Sequence, residues 1–179
     1  MSEQTISPLL AAGAMATVVV ALALVVGVEL KNATALRRFV SDRGQILALV
    51  VAGSAMAASL YYSEIAGFLP CEFCWYQRIA MYPLAVLLGV AVVTRRYIDI
   101  RFTAVIAVIG LALSVYHYQL QLFPDQGSAC VGGVACTAKY VEAFGFATIP
   151  FMAGAAFLSV ILVRLAEWRS DMLMDFHGE

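Results

Sequence analysis

Five long stretches of this chain carry no charged side chain, and they decide what it can fold into. They run from Thr5 to Val28, Gly44 to Ser63, Ile79 to Thr94, Phe102 to Phe123 and Ala143 to Val163. The third reaches back to Trp75 if Arg78 is accommodated near a helix start. Each approaches or exceeds the roughly 18 apolar residues that a helix needs to cross a hydrocarbon layer. Lipid offers no partner to a backbone N–H or C=O, so only helices and closed barrels span it; the strict alternation of a barrel strand is absent here. Composition agrees. Of 179 residues 63% are hydrophobic and 13% charged, whereas a soluble domain carries about a quarter charged residues. A soluble enzyme and a disordered chain are excluded. A net charge of −1 leaves no basic field for nucleic acid. The expectation is an all-α membrane protein, a single integral membrane domain over residues 1–179 with five spans.

The first stretch is read as a span rather than a cleaved signal peptide. Ala33-Thr34-Ala35 has the look of a cleavage site, but Met1 to Gln4 holds Glu3 and no Lys or Arg, and the positive charges follow the apolar run. Orientation comes from the connections. Lys31, Arg37, Arg38 and Arg43 lie in the first, Arg95, Arg96 and Arg101 in the third, Arg164 and Arg169 in the C-terminal tail, whereas the opposite loops hold Lys139 beside Asp125 and Glu142. The positive-inside rule places the N-terminus outside and the C-terminus in the cytoplasm. Gly53 and Ala57, with Ala52 and Ser54 beside them, make a small-residue face expected to let a neighbouring helix approach closely.

All four cysteines fall in the two outward loops: Cys71 and Cys74 in Cys-Glu-Phe-Cys, Cys130 and Cys136 in Cys-Val-Gly-Gly-Val-Ala-Cys. That side of a bacterial plasma membrane is oxidising, so disulfides persist there. Structural bridging is a weak account of the first pair, because closing so short a loop contributes about 2 kcal/mol at best. The same spacing suits two thiols that exchange an electron pair, and a helix N-terminus lowers a thiol pKa. Cys74, just before an apolar run, is expected to be the favoured thiolate. The second pair, with Gly132 and Gly133 between its members, suits a flexible redox tip and a simple closed turn equally. Four cysteines in two pairs also invite a zinc site, but the Cys130–Cys136 gap is wider than usual ligand spacing and an oxidising compartment competes for the thiols. No metal is expected.

Arg78 lies four residues after Cys74, one helical turn along the same face. A charge at that depth is a functional-site hypothesis by default, although a lone arginine can snorkel to headgroups. Beside a redox-suited cysteine pair, a fixed cation would stabilise a thiolate and could donate to the carbonyl of a quinone. Trp75, Tyr76 and Tyr82 offer flat apolar surface nearby or form an interfacial belt. His117, in Tyr116-His117-Tyr118-Gln119, falls on the same membrane side, either as a structural residue or in a proton relay. Pro150, after Thr148, reads as a helix-start proline.

The block Leu69-Pro70-Cys71-Glu72-Phe73-Cys74-Trp75-Tyr76-Gln77-Arg78-Ile79-Ala80-Met81-Tyr82-Pro83 resembles the signature of the DsbB/BdbC family of disulfide-bond formation proteins. His117-Tyr118-Gln119-Leu120-Gln121-Leu122-Phe123-Pro124, shortly before Cys130, and Thr148-Ile149-Pro150 resemble further segments of it. The likeness spans roughly Gln45 to Val163. It implies a four-helix transmembrane bundle, here residues 45–168, to which residues 8–30 add one extra N-terminal helix. It further implies a plasma-membrane thiol:quinone oxidoreductase that reoxidises an extracytoplasmic DsbA-like thioredoxin-fold partner and passes two electrons to ubiquinone or menaquinone. By position, Cys130 would form the mixed disulfide with the partner, Cys136 would release it and exchange with Cys71, and Cys74 would face the quinone. Arg78 would help hold the quinone, with His117 near it. A strongly oxidising partner needs an acceptor of higher potential than a glutathione-like pool. The short Cys130–Cys136 spacing resembles the compact BdbC-like branch and leaves Gly127, Gly132 and Gly133 to supply the reach. Rival readings are an enzyme similar to vitamin K epoxide reductase, against which the Trp-Tyr-Gln-Arg block speaks, and a scaffold with static disulfides or zinc.

Overall fold

The computed structural model describes residues 3–125 and 134–177. They form five helices: α1 (Glu3–Val28), α2 (Thr34–Leu60), α3 (Glu72–Val93), α4 (Ile100–Leu122) and α5 (Ile149–His177). Each is long and apolar enough to cross a membrane. Among the described residues the sole β feature is an isolated bridge between Ala143 and Ala147. The protein is therefore all-α with five candidate spans, as its uncharged stretches predict. Large apolar side chains such as Val20, Val50, Val90 and Ile109 stand on the outer surface, which suits lipid and would not suit water.

Helix α5 is the hub. α1, α2 and α4 pack along it, α3 closes the ring between α2 and α4, and α1 touches α2 only sparsely. Helices α2 to α5 close a ring, and α1 packs along α5, with Ala21 buried in the main core cluster. Several boundaries differ from the uncharged stretches; α3 starts at Glu72, and α5 runs on to His177, so that Arg164 and Arg169 lie on a helix rather than in a tail. α2 starts at Thr34, so Arg37, Arg38 and Arg43 lie on its first turns rather than in a loop. Arg37 is buried there because its guanidinium donates to the carbonyls of Val28 (2.9 Å) and Leu30 (3.0 Å), groups that the end of α1 leaves without helical partners. α5 starts at Ile149, with Pro150 in its first turn. The preceding Ala143–Ala147 turn needs positive φ at Phe144 (56°) and Gly145 (76°), which no helix allows.

Close helix approach does not use Gly53 as expected. A Cβ on Gly53 would meet nothing within 4 Å, whereas one on Gly110 would collide with the Phe157 ring and one on Gly44 with Glu167. The tight contacts are α4 on α5 and α2 on α5, because those faces meet inside the core. At the basic end, Arg164 pairs with Glu167, both almost fully buried, and also donates to the carbonyl of Ile98. Gln45 bonds both the Arg96 carbonyl and the Ile98 amide, so the α3–α4 turn is pinned to the core.

Candidate functional site

The opposite end of the bundle carries the cysteines. There α2 runs into a single π turn, Tyr61–Ile65, a device frequent at functional sites. Gly67 at φ +70° then turns the chain into an irregular segment ending at Cys71. Cys71 is the N-cap of α3: its Sγ accepts the backbone N–H of Cys74 at 3.3 Å. The two sulfurs lie 2.9 Å apart and both thiols are free. The helix-end position therefore belongs to Cys71, not to Cys74 as its place before the apolar run suggests. The Cys74 hydrogen bond, seconded by His117, outweighs burial and lowers the Cys71 thiol to about 4.

His117, on α4, is buried against these sulfurs. Its Nε2 is 3.6 Å from Cys71 Sγ and 3.1 Å from the carbonyl oxygen of Cys136, and its Nδ1 is 3.3 Å from Gln77 Nε2. An amide nitrogen only donates and a carbonyl oxygen only accepts. Both contacts thus assign the ring proton to Nε2, the nitrogen that faces Cys71. Cys136 is disulfide-bonded and packs with Cys71, Phe73 and Leu120 in one buried cluster. Three of the four predicted cysteines converge around one histidine. Cys130 lies outside the described residues.

Arg78 sits on the other side of the pair. Its Nε donates to Ser59 Oγ (3.0 Å), its Nη2 to the Ser59 carbonyl (3.1 Å), and its guanidinium lies 5.3 Å from the Trp75 ring centre. Tyr82 donates to the same Ser59 hydroxyl at 3.3 Å. Arg78 is held in place rather than trailing to the surface. It lines a cavity of about 280 Å³ with Cys74, Ser59, Tyr62, Tyr82 and, from α5, Phe157. Above it Tyr62, Phe68 and Tyr140 stack in series at 5.8 and 4.9 Å. Tyr76 instead bonds Glu72 at the exposed side.

Cys74 borders this cavity, whereas His117 borders a smaller one behind the sulfurs with Cys71, Cys74 and Gln121. The sulfur pair separates a histidine side from an arginine side. Cys71, Cys74 and His117 also offer three metal-ligand atoms within 4.8 Å of one another. Sequence reasoning missed Ser59 and Gln77. Ser59 is polar within an uncharged run, which is the only local sign it gives. Gln77 lies between Cys74 and Arg78, and no local feature marks it as the partner of a histidine on α4.

The family model described as "Disulfide bond formation protein DsbB" matches residues 41–167. The "Probable disulfide formation protein" of Oceanobacillus iheyensis is 47% identical over 126 residues, covering 67% of this chain and 85% of that one. The "Disulfide bond formation protein C" of Bacillus subtilis is 46% identical over 115 residues, covering 63% and 83%. A "Probable disulfide formation protein C" of Halalkalibacterium halodurans is 43% identical over 115 residues, with the same shares. No solved structure matches the chain.

Proposed function

The chain belongs to the DsbB family of disulfide bond formation proteins, and from that membership we propose that it is a thiol:quinone oxidoreductase serving disulfide formation outside a bacterial plasma membrane. The observation that carries this reading is the placement of Cys74 and Arg78 on the wall of one apolar cavity, with the Cys71 and Cys74 sulfurs in contact. A cavity of about 280 Å³ lies just below the range of roughly 300–1,000 Å³ for small-molecule sites. Apolar walls and a fixed donor fit a lipid-soluble ring bearing carbonyls. A quinone bound there would supply a two-electron, two-proton acceptor.

The chain's own residues do the rest. A thiolate of the DsbA-like partner attacks Cys130 of a Cys130–Cys136 disulfide, releasing Cys136 as thiolate. The partner's second thiol then displaces Cys130, and the partner leaves oxidised. Cys136 attacks Cys71 of the oxidised Cys71–Cys74 pair, releasing Cys74. Cys130 next displaces Cys71, restoring the first disulfide and leaving two electrons and two protons on Cys71 and Cys74. A thiol of low pKa is the better leaving group, which suits Cys71 to that last displacement. The Nε2–H of His117, 3.1 Å from the Cys136 carbonyl oxygen and 3.6 Å from Cys71 Sγ, supports a role for His117 in stabilising the departing Cys71 sulfur. Two of the five Arg78 N–H groups go to Ser59, leaving others to hold a carbonyl oxygen. With basic residues at one end and cysteines at the other, the positive-inside rule sets the cysteine end outside.

A partner whose second cysteine is replaced by serine tests the electron path. It should accumulate a reducible adduct through Cys130 of the wild-type chain, because the thiol that displaces Cys130 is gone; an inserted, folded chain that traps none contradicts it. Zinc is a second reading, resting on the three clustered donors. Two thiolates on one zinc stand about 3.8 Å apart, given Zn–S near 2.3 Å and tetrahedral angles, wider than the 2.9 Å here. Stoichiometric zinc in purified protein would favour it.

A further inference from the structure

Helix α1 lies outside the residues that the family model matches, 41–167, yet it forms one side of the cavity. Leu9, Leu10, Gly13, Ala14 and Thr17 face it from α1, across from Val51, Ser54, Ala55 and Ala58 of α2, with α5 as the floor. From Leu9 to Thr17 is eight steps of the helix, about 12 Å along its axis. The cavity is thus a slot running from the cysteines towards the bundle's middle.

Two polar contacts hold α1 at the ends of that slot. The Tyr62 hydroxyl donates to Ser7 Oγ at 3.3 Å, and the Ser159 hydroxyl of α5 donates to Thr17 Oγ1 at 3.1 Å. Ala11 is fully buried with Ala143 and Ala147, beside Phe151 and Met152. Between these anchors α1 stands away from α2: a Cβ on Gly13 would meet nothing within 4 Å, although Gly13 lines the cavity. Without α1 the same surface of α2 and α5 would be a groove open to lipid.

We infer that α1 is the outer wall of the acceptor cleft and that Gly13 sets its width. The inference rests on the quinone reading above. A flat ring beside Arg78 is then confined on its lipid side by α1. Gly13 lines the slot and a Cβ there meets no neighbouring helix, so a bulkier side chain at position 13 has the slot to fill.

The test is binding, not turnover. In a Trp168→Phe background, tryptophan fluorescence comes from Trp75, which lies under Arg78. Titration with a short-tailed benzoquinone and with 2-methyl-1,4-naphthoquinone should quench it and return a Kd for each. Gly13→Leu should raise the Kd at least tenfold, while Val20→Leu, on the lipid-facing side of α1, leaves it unchanged. If Gly13→Leu fails to insert, Gly13→Ala replaces it, with about a threefold rise expected. Equal Kd values in the wild type and the inserted Gly13 variant overturn the wall inference alone. A wild type that binds neither quinone overturns the acceptor reading and the wall with it.

Discussion

Ser59→Ala is the most discriminating small change at the site, because the Ser59 hydroxyl accepts from Arg78 and Tyr82 and is hydrogen-bonded to neither sulfur. The substitution removes the Oγ that accepts from Arg78 Nε at 3.0 Å and leaves the backbone carbonyl that accepts from Nη2 at 3.1 Å. A hydrogen bond to a charged group contributes about 1.5–3 kcal/mol. Arg78 is half-buried and keeps its second bond, so the lower figure applies. At about 1.4 kcal/mol per decade, KM for a short-tailed quinone should rise about tenfold. Tyr82→Phe is the control: its hydroxyl reaches only the same Ser59 Oγ, and less than a twofold change is expected. Steady-state quinone reduction by purified protein gives KM, and exchange with a dithiol substrate gives the sulfur half separately. The reasoning is refuted if Ser59→Ala leaves KM unchanged, or if dithiol exchange falls by the same factor.

Two further predictions concern protonation and packing. The Cys71 thiol is held down to about 4 from an ordinary 9.0. This lowering stabilises the reduced native protein fully above the ordinary value, and the effect is lost as pH falls through about 4. The rate at which iodoacetamide alkylates Cys71 of the reduced protein should therefore stay level from pH 9 down to about pH 5, whatever burial does to its absolute size, and an inflection near 9 would contradict the Cys71 geometry. In the core, Gly110→Ala drives a methyl into the Phe157 ring, and overpacking costs about 1–3 kcal/mol. Thermal unfolding in detergent should show lower stability for Gly110→Ala and little change for Gly53→Ala, whose Cβ enters open space.

The spans were legible because lipid imposes one rule on every residue it touches, and an uncharged run such as Phe102 to Phe123 has no other home. Their ends were not. The Arg37 side chain continues α2 upstream by bonding the end of α1, a tertiary contact with no local signal. Small residues mislead in the same way: Gly53 and Gly110 look alike in sequence, and only packing decides which one a neighbour presses against. At the site, Cys71, Cys74 and Arg78 were readable from chemistry and spacing. The helix start was displaced by a turn's fraction, and that moved the N-cap, and with it the lowered thiol, from Cys74 to Cys71. Ser59 comes from a different helix, and no spacing rule links it to Arg78. Gly13 reads as an ordinary residue of a span until α1 is seen standing off α2.

The central claim is that Cys71 and Cys74 deliver two electrons to a quinone beside Arg78. The direct measurement is an anaerobic thiol count on fully reduced protein, with four cysteines per chain, after addition of one equivalent of quinone, with the new disulfide mapped by mass spectrometry. The account predicts loss of two thiols per chain, with no loss when Cys74→Ser removes the sulfur at the cavity wall. Four thiols remaining in the wild type, or undiminished loss in Cys74→Ser, would contradict it.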